Sequence, residues 1–153
     1  FYKSYKQLDK DIDEILAEII FKTPDLGALF NFEKVSKRTW LDIASVNSAC
    51  QVKLNKEGAI EWMHLSAGGV APIPKYFSNT VSFLTGKILS RQVFREALNI
   101  MNEEIAPIGD ARGTADYKKL LLRQLFTAHL LKFFGMTNVM KEILNDIRNQ
   151  HAL

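Results

Sequence analysis

Three histidines and a single cysteine are the side chains of this sequence that metal and nucleophilic sites most often use. His64, His129 and His151 are far apart along the chain, and a zinc site would require them to converge with carboxylates. His129 lies on the apolar side of a predicted helix, where a buried and hydrogen-bonded histidine is the simpler interpretation. Cys50 lies in an alternating strand and is interpreted as a small buried side chain. With no serine-nucleophile, His-Glu-x-x-His or phosphate-loop motif present, we predict no catalytic residue and no metal site.

A group of cations indicates a different chemistry, the binding of an electron-rich ligand. Lys34 ends a short predicted strand, and Lys37 and Arg38 follow it closely. A cation just beyond a strand end is well placed to meet the carbonyl-bearing edge of a flavin, or its phosphates. The alternative is a solvated basic loop. Leu16, taken by itself, indicates only a packing residue.

Two further loops have both a functional and a structural interpretation. Gly68 and Gly69 could bring backbone N–H groups to an anion, but a tight turn after a strand explains them more simply. Asp110 and Arg112 lie in a polar loop between two predicted helices. An ion pair within that loop, combined with helix capping, is favoured over a docking site for a partner, although the sequence does not decide between them.

The composition is that of an ordinary globular domain. The chain has 153 residues, of which 47% are hydrophobic and 24% charged. It contains no apolar run near the roughly 20 residues that span a bilayer, so we predict no membrane partner. A single cysteine excludes a disulfide framework and a four-thiolate iron–sulfur cluster within the chain. This cysteine usage indicates a reducing, cytoplasmic setting.

A net charge of +3 raises the question of nucleic acid. The basic residues are interleaved with 17 acidic ones, whereas nucleic-acid binding usually needs a concentrated basic patch. We therefore predict no nucleic-acid partner. The alternative would require the following side chains to form one surface: Lys3, Lys6, Lys10, Lys22, Lys37 and Arg38.

The strand predictions fall in the first half of the chain. Residues 14–21 are a short apolar run that suits a strand, although a helix over residues 9–20 fits the same spacing. Residues 30–34 predict a second strand. Residues 44–54 alternate between small or apolar and polar side chains, and residues 59–67 would return antiparallel after a turn at Gly58.

The second half of the sequence predicts helices. Expected are a short helix or turn at 79–85, a helix from a Ser90 cap to Pro107, a helix between Thr114 and Gly135, and a last helix at about 138–149. Strands followed by helices indicate an α+β fold. We predict a small antiparallel sheet of three or four strands packed on three or more helices.

Three segments, in fixed order, make the sequence recognisable. They are residues 34–44 (KVSKRTWLDIA), 66–74 (SAGGVAPIP) and 105–117 (IAPIGDARGTADY). Together they resemble the C-terminal domain of the FAD-binding subunit of molybdenum hydroxylases, the family that includes xanthine dehydrogenase and the carbon monoxide dehydrogenase flavoprotein. The resemblance extends over roughly residues 13–134, and the sheet and three helices that it implies agree with the fold predicted above.

The resemblance implies two residues that contact FAD. Lys34 matches a lysine that contacts the cofactor in the strand and loop before the Asp-Ile-Ala segment. Leu16 matches an aliphatic residue that the family places against the flavin ring. The loop after the lysine varies in charge within the family, so a flavin-facing role for Arg38 is an option rather than an implication.

The resemblance also implies a function within a larger enzyme. In such enzymes a molybdopterin site hydroxylates the substrate, iron–sulfur centres carry the electrons, and FAD passes them to NAD or oxygen. The expected partners are therefore iron–sulfur and molybdopterin subunits or domains of the same enzyme, and a homo-oligomer is possible. This chain would be a fragment of the FAD-binding subunit, which we expect to be inactive by itself.

The fragment interpretation divides the chain into three parts. Residues 1–24 would be the remnant of the preceding FAD-binding subdomain, 25–135 the flavoprotein C-terminal domain, and 136–153 a C-terminal helix. The absence of an initiating Met agrees with this expectation. Because the glycine-rich segments that hold the FAD pyrophosphate in the family are missing, we expect the fragment alone to bind FAD weakly or not at all. The alternative is a stand-alone interaction module that kept the fold without the flavin.

Overall fold

The structure, a computed structural model, describes residues 1–150, with only the backbone of Gln150. Its strands are β1 (Tyr2–Ser4), β2 (Gln7–Leu8), β3 (Leu29–Val35), β4 (Val46–Leu54), β5 (Ile60–Gly68) and β6 (Lys75–Tyr76). Strands β1 and β2 form a small separate hairpin, whereas the other four form one antiparallel sheet in the order β3-β4-β5-β6.

The helices follow the sheet in the sequence. They are α1 (Ser78–Leu84), α2 (Arg91–Glu103), α3 (Ala115–Phe134) and α4 (Asn138–Gln150). Ser90 and Thr114 cap α2 and α3, because their side chains accept hydrogen bonds from backbone N–H groups three residues later. Gly135 ends α3 with a φ of +61°. The predicted α+β fold is therefore confirmed, including the caps of both long helices.

The predicted antiparallel β4–β5 hairpin forms, and its register places Cys50 opposite Leu65. The Asn55 side chain stabilises the turn by accepting hydrogen bonds from the N–H groups of Glu57 and Ala59. Alternate side chains of β4 are buried and half-buried, as a sheet covered on one face requires. The hairpin thus presents one continuous apolar face to the helices.

The core lies between that face of the sheet and the four helices. The rings of Phe94 on α2 and Phe126 on α3 stack with their centroids 6.0 Å apart. Helix α4 contributes the fully buried Met140 and Ile143, and its Asp146 pairs with arginines on α2. Residues 138–150 therefore pack on the same core as the rest, whereas the three-part division of the chain stays a prediction.

The opposite face of the sheet carries no helix among the described residues. Phe30 and Phe32 of β3 lie on it with 63% and 53% of their surface exposed. The side chains in the middle of this face are small. Ala49 and Ser66 lie there, opposite each other in the β4–β5 register. We call this surface the open sheet face.

Residues 9–28 differ from both predictions made for them. The described chain here forms neither the strand expected at 14–21 nor the alternative helix at 9–20. Ile12, Ile15 and Phe21 are almost fully exposed. A strand needs a neighbour for its backbone hydrogen bonds, and a short helix needs a surface for its apolar side. Among the described residues this segment pairs with no strand and buries no apolar side, so the family resemblance alone could not decide its conformation.

Gly69 follows β5 at a point where the backbone turns sharply. Its φ is +85°, and a Cβ atom built there would lie only 2.3 Å from the carbonyl oxygen of Ser45. A side chain at this position would therefore displace backbone, not merely another side chain. Gly58 has a similar φ of +80°, but a Cβ there would meet nothing within 4 Å.

A comparison of these two glycines separates two costs of a side chain. One is the cost of a positive φ, which both positions share, and the other is the cost of a clash with backbone, which arises only at Gly69. We expect Gly58→Ala to lower the free energy of unfolding by about 1–2 kcal/mol, the cost of a left-handed alanine. Gly69→Ala should lower it by at least about 3 kcal/mol, because backbone displacement is added. Urea denaturation of both variants measures the difference. Equal losses would contradict the tight contact with Ser45.

Candidate functional site

Lys34 lies near the end of β3 and on the open sheet face, on the same side as Phe32. Its Nζ atom donates a hydrogen bond of 2.6 Å to the backbone carbonyl of Asp42. The ammonium group is thus held beside the loop that leaves β3, while the side chain stays exposed. This geometry gives the end of the open sheet face a fixed positive charge.

The basic loop (residues 36–44) is held by the Asp42 carboxylate. The carboxylate accepts hydrogen bonds from the backbone N–H groups of Arg38, at 2.8 Å, and Ile43, at 2.9 Å. The Arg38 N–H and the Arg38 guanidinium together hold the pKa of Asp42 below its usual range. At the loop tip Trp40 is exposed, and Leu41 takes a φ of +49°, which a residue with a side chain rarely adopts.

The basic loop also contacts a second loop that is distant in sequence. Lys37 donates from Nζ to the carbonyl of Ala111 at 2.6 Å. Ser45, the first residue after the basic loop, is buried and donates from Oγ to the carbonyl of Arg112 at 2.9 Å. We call residues 105–114 the Asp110 loop. The two loops are therefore joined through main-chain carbonyls rather than through an ion pair.

The Asp110 loop is anchored by a residue that the sequence analysis missed. Lys118, on the first turn of α3, is buried, and its Nζ contacts the Asp110 carboxylate at 3.1 Å and the Ile108 carbonyl at 2.7 Å. The predicted pair of Asp110 with Arg112 is also present, at 3.1 Å. The sequence did contain a signal that Lys118 is buried. It precedes Leu121 and Leu122 at helical spacing, and this places it on the buried side of α3.

Leu16 lies in the extended part of residues 9–28, away from any regular element. It lines a shallow cleft together with Phe1, Asp9 and Glu14, and no residue of the basic loop lines that cleft. Its side chain is 56% exposed. Contact of Leu16 and Lys34 with one and the same ligand therefore stays a prediction of the family resemblance.

The two described histidines occupy unrelated places. His64 lies on the open sheet face and contacts the Tyr76 hydroxyl at 2.8 Å, whereas His129 is buried under the sheet, with Asn31 2.9 Å from its Nδ1. His151 lies outside the described residues. Among residues 1–150, no group of three or more His, Cys, Asp or Glu side chains could hold a metal ion. Burial raises the pKa of the Cys50 thiol to about 12, so this side chain is a packing residue at neutral pH.

The glycine pair is explained by the turn and not by an anion. Gly69 turns the chain against Ser45, and Gly68 faces the Asn47 side chain, whose Oδ1 accepts a hydrogen bond from the Gly68 N–H at 3.1 Å. That N–H group is therefore already used within the sheet. The structural interpretation of Gly68-Gly69 is confirmed.

The fold and the segments at residues 34–44, 66–74 and 105–117 can be compared with known proteins. The family described as the CO dehydrogenase flavoprotein C-terminal domain matches residues 32–133 of this chain. This range includes the second half of β3, the basic loop, the hairpin, the Asp110 loop and most of α3. The chain belongs to this family. The predicted resemblance to the flavoprotein domain of molybdenum hydroxylases is thereby confirmed.

Curated relatives of this flavoprotein domain are xanthine dehydrogenases. Xanthine dehydrogenase 1 of Arabidopsis thaliana is 28% identical over 139 residues, which are 88% of this chain and 10% of the relative. Xanthine dehydrogenase of Blastobotrys adeninivorans is 32% identical over 98 residues, or 61% of this chain and 7% of the relative. The chain thus spans about 10% or less of the length of these relatives.

Solved structures share the fold. Reconstituted CO dehydrogenase from Oligotropha carboxidovorans superposes with a TM-score of 0.62 and 21% identity, covering 67% of this chain and 35% of that chain. Quinoline 2-oxidoreductase from Pseudomonas putida 86 gives a TM-score of 0.59 and 19% identity, covering 74% and 37%. Within residues 1–150 no helix has the length and apolar character needed to cross a membrane.

The described residues fit the periphery of a flavin rather than its phosphates. Lys34 offers a cation at the end of an uncovered face, which suits an electron-rich ring edge. A pyrophosphate cradle needs several free backbone N–H groups, and the Gly68 N–H group is occupied by Asn47. This arrangement could form one wall of a cofactor site, with the phosphates held elsewhere.

The burial of His129 produces a dependence of stability on pH. Burial lowers its pKa to about 4, whereas the nearby Glu33 carboxylate acts in the opposite direction. Because the folded pKa lies below the unfolded value, the unfolded chain binds a proton first as the pH falls. The contribution of neutral His129 to the free energy of unfolding is thus fully present above about pH 6.5. As the pH falls towards about 4, up to roughly 3 kcal/mol of it is lost.

Replacing the buried histidine should remove this contribution. Between pH 7 and pH 4 we expect His129→Gln to lose less unfolding free energy than the wild type, by roughly 2–3 kcal/mol. His64→Gln, on the open sheet face, is the control and should behave like the wild type. Urea denaturation of all three proteins at several pH values gives the comparison. The carboxylates contribute equally to the pH dependence of the unfolding free energy in each protein, so the differences between the curves report on the histidines. Parallel curves for His129→Gln and the wild type would show that His129 is not buried in the neutral form.

Proposed function

We propose that this chain forms one wall of the FAD site in a xanthine-dehydrogenase-type oxidoreductase and part of the interface with the rest of that enzyme. The observation that carries the proposal is the position of Lys34, an exposed cation fixed by the Asp42 carbonyl at the end of the open sheet face. Family membership supports the flavin as the ligand, since the matching domain is a flavoprotein domain.

Each residue of this wall would have a distinct role. A bound flavin would supply the redox chemistry, taking up electrons from a donor and passing them to an acceptor. Lys34 would contact the electron-rich edge of the ring and stabilise negative charge there. Leu16 would pack on the ring and exclude water from it. Arg38, paired with Asp42 in the basic loop, is a further candidate for a flavin-facing charge.

The exposed apolar side chains support the interface part of the proposal. Phe30 and Phe32 lie on the open sheet face, and Trp40 and Leu41 project from the tip of the basic loop. Large apolar side chains that are grouped on one surface usually mark a contact with another protein or domain. The partners would be the remaining FAD-binding segments and the iron–sulfur and molybdopterin units of the same enzyme. A homo-oligomer and a cytoplasmic location are further parts of this proposal.

The second candidate function is that of an interaction module without flavin. It is favoured by the same exposed side chains and by the Gly68 N–H group, which is bonded to Asn47 and so is not free to bind a phosphate. In this case Lys34 would be a surface charge that stabilises only the basic loop. The two functions differ in whether Lys34 influences a flavin.

The experiment uses the complete enzyme that contains this domain, with Lys34→Ala compared with Lys56→Ala. Lys56 is equally exposed but lies in the β4–β5 turn, at the other end of the sheet. We expect Lys34→Ala to weaken FAD binding by about tenfold, the loss of roughly one charge-assisted hydrogen bond, and to shift the flavin absorption bands. Equilibrium dialysis and visible absorption spectra measure the two effects.

Lys56→Ala should leave both measurements at their wild-type values. If Lys34→Ala also leaves affinity and spectrum unchanged while FAD is bound, Lys34 is not part of the flavin site. If the complete protein binds no FAD at all, the interaction module becomes the better assignment.

A further inference from the structure

We propose that Lys118 and Asp110 form a positioning pair for the basic loop, and through that loop for Lys34. The inference rests on the proposed function in one respect only, that Lys34 contacts the flavin. The coupling between the two loops is a property of this chain alone, and it can be measured without a cofactor.

The first step is the anchoring of the Asp110 loop. Lys118 is 3% exposed, and a buried ammonium group is strongly destabilising unless it is paired and hydrogen-bonded. Asp110 and the Ile108 carbonyl provide its partners. Asp110 also accepts the Arg112 N–H at 2.8 Å, which fixes the loop backbone between them. The Asp110 loop therefore has one strongly preferred conformation as long as the Lys118 side chain is in place.

The second step is that the Asp110 loop holds the basic loop in place. The fixed carbonyls of Ala111 and Arg112 are the acceptors for Lys37 and Ser45, at the two ends of the basic loop. Ser45 in turn donates its backbone N–H to the Val35 carbonyl at 2.8 Å, which closes the loop at its base. Displacing the Asp110 loop would remove acceptors from both ends at once.

The third step connects the basic loop with Lys34. The acceptor for Lys34 Nζ is the carbonyl of Asp42, which belongs to the basic loop. If the loop moves, this carbonyl moves with it, and the ammonium group loses its fixed position. The pair on α3 thus acts on Lys34 through the two loops and makes no direct contact with it or with a flavin.

The test begins with amide hydrogen exchange in the 153-residue chain, measured by NMR. The reporters are the N–H groups of Arg38, Ile43 and Ser45, because each has an acceptor inside or at the base of the basic loop. We expect Lys118→Met to accelerate their exchange about tenfold through local opening, without affecting the β4–β5 hairpin. Lys118→Arg, which keeps the charge, should restore most of the protection.

The matched control is Lys119→Met, an identical change at the next residue. Lys119 is exposed, and its ion-pair partner within the described part of the chain is Asp116 on the same helix, so its loss should leave the three reporters unchanged. If Lys118→Met unfolds the whole domain, Asp110→Asn removes the negative charge of the other partner at a more exposed position and should accelerate the same reporters. Unchanged reporters in Asp110→Asn, or in a folded Lys118→Met, would overturn the proposal.

A second readout separates this proposal from the function on which it rests. In the flavin-loaded enzyme, Lys118→Met should shift the flavin absorption bands in the same direction as Lys34→Ala and less far, and Lys118→Arg should reverse the shift. A shift in Lys34→Ala without any in Lys118→Met would overturn the positioning role and leave the proposed function intact. No shift in Lys34→Ala would overturn the proposed function, and the exchange of the three reporters would then decide whether the pair positions the loop.

Discussion

The packing around Ser45 is the constraint on which the rest of this structure depends. This buried residue closes the basic loop on Val35, donates its hydroxyl to Arg112, and leaves Gly69 no room for a side chain. Three segments that are distant in sequence therefore meet at one short stretch of backbone. They are the same three segments by which the sequence resembles its family, so the resemblance reflects a single structural junction rather than three independent features.

The junction lies at one end of a sheet that is covered on only one face. The helices bury the inner face, and the outer face keeps exposed aromatic side chains and a fixed cation at Lys34. A surface of this kind is typical of a domain that completes a site together with other parts of a protein.

The sequence predicted those elements whose local signals agreed with their burial. The β4–β5 hairpin and the caps at Ser90 and Thr114 formed as expected, because alternation, turn residues and caps act over a few residues. Residues 14–21 could not be predicted, since their spacing fits two structures and the conformation depends on neighbours outside the segment. Lys118 was missed for a similar reason, because a buried lysine is explained only by its distant partners, here Asp110 and the Ile108 carbonyl.

We propose above that Lys34, at the end of the open sheet face, contacts a flavin. A structure of the complete, flavin-loaded enzyme tests it most directly, through the distance from Lys34 Nζ to the nearest flavin atom. We expect a hydrogen-bond distance of about 3 Å, with the ammonium group still at the Asp42 carbonyl. A Lys34 side chain that faces solvent or another protein surface, with the flavin more than about 10 Å away and beyond the screening length of its charge, would contradict it.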